Sequence, residues 1–284
     1  MKLTEYLKLF NVEKATEMML QGKSQKEIGE EFGIPAQRIS ECFKYHNIKF
    51  VKRSFYVNDY YFDKIDSEDK AYVLGFLVAD GCVKREARKN GYSYRISFNN
   101  SIDDKEAIDL IHSKICPDAK IVISKNLHNR RKKPQYTLQW TSEYMYNILV
   151  SYGIKPRKTY DKEFKIPEGL LTQEMWRHFI RGFFDGDGHV GPETIEFVFT
   201  SEPFMYQVMS WFSNFTYRTY HIDGKTTDYW KVVINGSDSV KACIYHYLYD
   251  NAHYFLTRKK ECFNTEIGYR LNNRVIEIVE HRVE

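Results

Sequence analysis

Two stretches of this chain are built alike: AYVLGFLVADGCV at positions 71–83 and HFIRGFFDGDGHV at 178–190. Each is an apolar run of helical length closed by Asp-Gly. Their matching aspartates, Asp80 and Asp187, stand about one small domain apart, on the order of 100 residues. Duplication constrains the fold strongly, because whatever the first copy builds the second must build as well.

The elements after each motif follow in the same order. In the first copy, strands are predicted over 82–88 and 92–99 around Asn90-Gly91, a dipeptide suited to a tight hairpin. A helix over 103–115 follows, with Ile108, Ile111 and Ile115 on one face. Strands over 119–126 and 135–141 and a helix over 143–152 complete it. The second copy offers a short hairpin over 189–200, a helix over 202–214, strands over 216–222 and 229–235 flanking Asp223-Gly224, and a helix over 238–249. Each copy reads α-β-β-α-β-β-α, so the class is α+β.

Both motif helices carry small residues four apart, Gly75 with Ala79 and Gly182 with Gly186. Glycine inside a helix costs roughly 1 kcal/mol relative to alanine, so a pattern occurring twice needs a use. Small residues at this spacing form a smooth strip that lets another helix backbone come close. The two motif helices are therefore expected to pack on each other about a pseudo-twofold axis, with their C-terminal ends together. Those ends bear Asp80 and Asp187, followed by Gly81 and Gly188, which suit a left-handed cap. A carboxylate at a helix C-terminus faces the negative end of the macrodipole, and two such groups also repel each other. A divalent cation held between them relieves both penalties, and hard oxygen ligands suit Mg²⁺.

These residues resemble a known family. Val73–Gly81 (VLGFLVADG) and Ile180–Gly188 (IRGFFDGDG) look like the two motifs of a single-chain LAGLIDADG homing endonuclease. The resemblance covers about residues 67–263. It implies two pseudo-twofold-related αββαββα repeats whose two four-stranded antiparallel sheets form a saddle over double-stranded DNA. It also implies that the last acid of each motif, Asp80 and Asp187, binds metal at the scissile phosphates. Val78 departs from the motif where Asp185 stands in the second copy. With the last acid present in both copies, two working half-sites are expected. The family's polar residue at the end of the second strand falls at Asn100 and Ser201. Its lysine after the last helix of each repeat falls at Lys158 and Lys259, with Arg258 and Lys260 as alternatives in the second copy. The implied chemistry is staggered double-strand cleavage of a long non-palindromic site, dependent on Mg²⁺, with Mn²⁺ or Ca²⁺ able to occupy the site.

Strand alternation supports a sheet facing nucleic acid. Tyr92, Tyr94, Ile96 and Phe98 point one way; Ser93, Arg95, Ser97 and Asn99 point the other. Tyr136, Leu138 and Trp140 likewise oppose Thr137, Gln139 and Thr141. Arg95, Ser97, Asn99 and Gln139 are side chains able to read base edges. The basic stretches Lys84, Arg85, Arg88 and Arg130, Arg131, Lys132, Lys133 fall at hairpins, where phosphates can be gripped. The first hairpin is longer than its counterpart in the second copy, so residues 82–99 are expected to make more contacts.

Residues 1–50 lie outside the resemblance and read as a helix-turn-helix. Val12, Ala15 and Met19 share one face, and Ser24 with Glu27 form a capping box. Gly33 allows the turn, and Pro35 can open the next helix at its first position. That helix shows Arg38, Glu41 and Lys44 to solvent, followed by Lys52 and Arg53, so the segment is expected to bind DNA. Residues 51–66 mix basic and aromatic side chains without clear period and read as a linker. The repeats are bounded at 67–165 and 166–263, and 264–284 form an extension of unassigned role.

Composition enters by exclusion. Aromatic residues at 16% and hydrophobic residues at 43% exclude a disordered chain, while a net charge of +4 names no partner by itself. The longest apolar run, Ala71–Ala79, is too short to span a bilayer, so no membrane partner is expected. No apolar segment follows Met1–Lys2, so no signal peptide is expected. Five scattered cysteines without C-x-x-C indicate neither a disulfide framework nor a zinc site. The expected setting is intracellular and cytoplasmic, in a bacterium or phage, with the chain a monomer. Rival readings are an intron RNA maturase on the same scaffold and a non-catalytic DNA-binding regulator. An intein is disfavoured by the chain's two ends.

Overall fold

The computed structural model describes residues 2–48, 50, 55–89, 91–124, 134–191, 193–224 and 227–266. They fall into two compact units. One takes residues up to Asp59 together with His112–Lys120, and the other takes Tyr60–Ile111 together with residues from Ile121 onward.

The N-terminal part of the first unit is helical: α1 (Leu3–Leu9), α2 (Val12–Leu20), α3 (Gln25–Phe32) and α4 (Ala36–Tyr45). The sequence pattern shows α2 to α4; in α1, Leu3, Tyr6 and Leu7 also stand at i, i+3 and i+4 and pack on the core, a signal confined to a seven-residue helix. The Glu27 amide donates to the Ser24 hydroxyl at 3.2 Å, and the Ser24 amide donates to the Glu27 carboxylate at 2.8 Å. The expected capping box is therefore formed. Gly33 adopts φ 64°, the left-handed conformation that ends α3. Pro35 stands one place earlier than expected, as the cap of α4 with ψ 136°, and Ala36 is the first helical residue. Ala15, Met19, Ile28, Ile39 and Phe43 form the buried core.

The second unit opens with α5 (Glu68–Asp80), β1 (Gly81–Arg88) and β2 (Gly91–Ser101), then α6 (Lys105–Ile115), whose residues from His112 are counted with the first unit, β3 (Val122–Ser124), β4 (Gln135–Thr141) and α7 (Glu143–Ser151). The same order returns in α8 (Gln173–Asp187), β5 (His189–Val190), β6 (Thr194–Phe199), α9 (Glu202–Met209), β7 (Tyr217–Ile222), β8 (Tyr229–Asn235) and α10 (Asp238–Tyr249). Both sheets are four-stranded and antiparallel, ordered β1-β2-β4-β3 and β5-β6-β8-β7. The fold is thus α+β with two αββαββα repeats. A further helix, α11 (Thr257–Glu266), follows the last helix expected of the repeat. Its sequence is polar apart from a few residues such as Phe263, which is buried, so periodicity gave no signal. Among the described residues, no helix is long and apolar enough to cross a membrane.

The stretch expected to be a linker is packed from Tyr60 onward. Tyr61, Phe62 and Ile65 are buried. Tyr152 donates to the Phe62 carbonyl at 2.7 Å, and Tyr144 donates to Asp63 at 3.0 Å. Its aromatic content was the sign of a core segment rather than of a tether.

Helices α5 and α8 cross where the small residues lie, and the contact is reciprocal. A Cβ added at Gly75 would overlap the Phe179 carbonyl oxygen and stand 2.9 Å from the Phe183 nitrogen. A Cβ at Gly182 would overlap the Tyr72 carbonyl oxygen and stand 3.0 Å from the Phe76 nitrogen. Each helix therefore rests on the other's bare backbone, as a pseudo-twofold axis requires. Gly75→Ala is expected to cost about 3 kcal/mol, the upper part of the overpacking range, because backbone cannot rotate aside. Urea unfolding checks this, and an unchanged midpoint would contradict the close approach.

Gly81 and Gly188 do not adopt the left-handed cap. Their φ values are −75° and −85°, with extended ψ, so each helix passes straight into strand conformation. The reason for glycine is space. A Cβ at Gly81 would lie 2.7 Å from the Leu77 carbonyl oxygen, and one at Gly188 would lie 2.5 Å from that of Phe184.

Candidate metal and nucleic-acid site

Asp80 and Asp187 are the last residues of α5 and α8. Because the helices cross at their small residues, the two ends arrive at one place. A Cβ on Gly186 would stand 3.3 Å from the Asp80 carboxylate, so Asp80 reaches the residue next to Asp187. A cleft of about 220 Å³ is lined by Ala79, Lys158 and Thr159 from the first repeat and by Asp187, Val198 and Thr200 from the second.

The electrostatics are unfavourable for two bare carboxylates. Asp187 is exposed at the cleft surface, while the protein around it withholds part of its hydration. Desolvation, with repulsion from Asp80, pushes its pKa up to about 6. Asp80 is raised by desolvation too, against the Asn100 amide, which donates to its carboxylate at 2.8 Å. Asp104, buried in the 3-10 turn after β2, adds repulsion to Asp80 and pairs with Arg258 at 2.7 Å.

Two ammonium groups face this charge. Lys158, in a 3-10 turn after α7, donates to the Ala79 carbonyl at 2.9 Å, satisfying one of the orphan acceptors at the end of α5. Lys259, buried on α11, donates to the Gly188 carbonyl. Arg258 is taken up by Asp104, and Lys260 lies over the Phe255 ring at 4.2 Å. Of the three basic neighbours, Lys259 points at the motif end. Burial lowers the pKa of both lysines, and Asp187 opposes the shift in each.

Ser201 is not at the site. Its hydroxyl donates to the Phe164 carbonyl at 2.5 Å, within reach of the Lys162 carbonyl at 3.1 Å, and accepts from the Phe204 amide at the start of α9. A helix cap and a loop anchor have used its polar capacity.

Strand register distributes the other candidates. Lys84 pairs across from Arg95, Ser97 from Cys82 and Gln139, and Asn99 from Thr137, so these share one face of the first sheet. Lys84, Arg88, Asn99 and Gln139 are exposed, and Arg95 is half-buried in an ion pair with Glu86. Two residues differ from expectation. Ser97 is buried between its cross-strand partners, and Arg85 lies on the opposite face, its guanidinium 3.7 Å from the Tyr92 ring centre. Arg38 is exposed on α4 but held by Glu41 at 2.7 Å, while Lys44 is exposed. Lys52, Arg53, Arg130, Arg131, Lys132 and Lys133 lie outside the described residues. On the second sheet, register places Glu196, Lys231, Arg218 and Tyr220 together on the face opposite the buried Phe197, a surface the sequence reading did not single out. The alternation in TIEFVF, buried at Ile195, Phe197 and Phe199, was the available signal.

Residues 174–245 match the family model described as LAGLIDADG-like domain. No curated protein matches the chain. Among solved structures, I-DmoI in complex with DNA and Ca is 17% identical, over 62% of this chain and 87% of that one, with a TM-score of 0.43. Mesophilic variants of the homing endonuclease I-DmoI are 17% identical, over 64% and 94%, with a TM-score of 0.45. I-SmaMI bound to uncleaved DNA target in the presence of calcium ions is 10% identical, over 74% and 96%, with a TM-score of 0.45.

Proposed function

We propose that this protein is a site-specific DNA endonuclease of the LAGLIDADG homing type, cutting both strands by divalent-cation-dependent hydrolysis. The observation that carries this reading is the reciprocal crossing of α5 and α8, which brings the Asp80 carboxylate to the residue before Asp187, whose own side chain lines the cleft. The residues fit a hard cation: two carboxylates raised by desolvation, and beside Asp80 the buried Asn100 Oδ1 with no hydrogen-bond donor. Asp80 and Asp187 would hold the ion, with Mg²⁺ the proposed physiological species. A bound divalent ion supplies charge neutralisation at phosphorus and a more acidic water.

The remaining roles belong to the chain. Attack of a water on phosphorus breaks the bond to the 3′ oxygen, leaving a 5′ phosphate and a 3′ hydroxyl. Lys158 and Lys259, anchored to the motif-end carbonyls, stabilise the charge that builds on phosphate oxygens. Asn100 Oδ1 is an acceptor able to orient a water. Lys84, Arg88, Asn99 and Gln139 present phosphate and base contacts from the first sheet, with Arg218 and Lys231 from the second. The N-terminal helices, with Arg38 and Lys44 on α4, add affinity through effective concentration. The unequal hairpins suit a non-palindromic target and a monomeric enzyme.

Incubation with DNA flanking the protein's own gene, with Mg²⁺ and then with EDTA, tests the reading. Discrete double-strand cleavage that EDTA abolishes is expected; intact DNA in both conditions would argue against it. Protons also compete with the cation for Asp187. Because its pKa is raised to about 6, the carboxylate is lost below that pH, and Mn²⁺ or Ca²⁺ affinity should fall about tenfold per unit there. Equal affinities at pH 5 and 7 by calorimetry would contradict the assignment.

A further inference from the structure

The two half-sites are not chemically equal, and strand register shows it. In the first sheet Phe98 pairs with Leu138, and Asn100, two residues on, pairs with Tyr136. In the second sheet Phe197 pairs with Val232, and Phe199, two residues on, pairs with Trp230. Gly81 faces Phe98, and extending the His189–Glu196 pairing by one residue sets Gly188 against Phe197. Counted from the motif glycine on either side, the place of Asn100 is taken in the second repeat by Phe199.

The difference is one of hydrogen-bonding capacity. Asn100 is 3% exposed; its amide donates to Asp80, and its Oδ1 is buried with no donor. A buried acceptor left without a donor costs about 1–3 kcal/mol, and an ordered water is the small donor that relieves it. Phe199 offers no polar atom. Its ring lies 5.3 Å from Phe183 and 5.7 Å from Phe204, inside the aromatic core. Ser201 is turned away onto backbone carbonyls. Among the described residues, no side-chain hydrogen bond reaches the Asp187 carboxylate.

We infer that the enzyme cuts its two strands in a fixed order at unequal rates, the half-site of Asp80 and Asn100 acting first and that of Asp187 and Phe199 second. This rests on the endonuclease reading above. Asn100 orients a water that the second half-site must recruit without a side-chain acceptor. Loss of a single such orienting group changes rates by about 10–100-fold, so a nicked duplex accumulates between the two cuts.

The test uses the full chain and a closed circular plasmid carrying a site selected for cleavage from a randomised library. If no member of the library is cut, the endonuclease reading itself fails, and this inference with it. With a cut site in hand, nicked circles should rise and then decay to linear DNA. Strand-specific end labelling should place nearly all first nicks on one strand, with rate constants differing at least about tenfold. Asn100→Ala should slow only the first cut, leaving the second unchanged. Phe199→Asn should speed only the second, and the double exchange Asn100→Phe with Phe199→Asn should reverse the order. Affinity for the uncut duplex in Ca²⁺, measured for every variant, reports whether the fold and the DNA surface survive. Direct conversion to linear DNA, first nicks shared evenly between strands, or equal slowing of both cuts by Asn100→Ala would each overturn it.

Discussion

Asp80→Asn and Asp187→Asn should each lower double-strand cleavage by about three orders of magnitude, the scale on which loss of one preorganised charge-stabilising group acts. Binding to the uncut duplex should change little, and in EDTA it should tighten slightly. The reason lies in what these carboxylates do when no cation is present. Each is a partly desolvated negative charge at a helix C-terminus, raised in pKa by burial and set beside its counterpart. Facing a polyanion, they oppose binding; their only favourable use is to hold positive charge. Asparagine removes that use and the repulsion together, while keeping the shape at the end of the helix. The measurement is single-turnover cleavage of labelled duplex alongside filter binding at fixed salt. Cleavage within tenfold of the parent in either variant would remove these residues from the reaction. Weakened binding would assign them to DNA contact instead.

The contrast between Asp80 and Asp187 marks the limit of sequence reading. Their convergence was legible because the small residues occur twice: Gly75 and Gly182 could be read as one contact seen from both helices, and the backbone overlaps bear that out. Strand alternation was legible wherever a strand has one buried face, as in Ile96, Phe98 and Leu138. What alternation cannot supply is the register between strands of unequal length. Placing the resemblance's polar residue at the end of the second strand led to Ser201 as the counterpart of Asn100, whereas pairing leads to Phe199. The glycines after the motifs were misread for a related reason. Their conformation is ordinary, and the crowding that demands them comes from Leu77 and Phe184 in three dimensions. Arg181 carried no signal at all. It is fully buried in α8, donating to Glu68 at 2.6 Å and to the carbonyls of Tyr254 and Leu248 at 2.8 and 2.9 Å. Nothing in an arginine's immediate neighbours announces burial, since its partners lie in α5 and around the C-terminal end of α10.

The same network gives the largest expected effect on stability, at Asp185. This carboxylate is fully buried and accepts from the Tyr249 hydroxyl at 2.7 Å, the Leu256 amide at 2.7 Å and the Tyr72 hydroxyl at 2.9 Å. It thereby joins α5, α8, α10 and the segment entering α11. Asp185→Ala leaves three buried donors without an acceptor and should cost about 3–5 kcal/mol. Asp185→Asn keeps the volume and an acceptor, and pH separates charge from hydrogen bonding. Desolvation raises the Asp185 pKa to about 6 from the ordinary carboxyl value of 3.8, outweighing the three donors and Arg181. The folded state then binds the proton more tightly than the unfolded state. Its stabilising contribution is full below about pH 4 and is lost as pH rises through about 6. Two pKa units correspond to about 3 kcal/mol. Relative to Asp185→Asn, whose amide does not titrate, the parent should therefore lose about 2.5 kcal/mol of stability between pH 4, where the unfolded carboxyl is already partly ionised, and pH 7. Other raised carboxyls, Asp80 and Asp187 among them, titrate alike in both proteins and cancel in the difference. Denaturant unfolding of the two at several pH values reads this directly. A pH-independent gap would mean that the donors around Asp185, and not its desolvation, set its charge state.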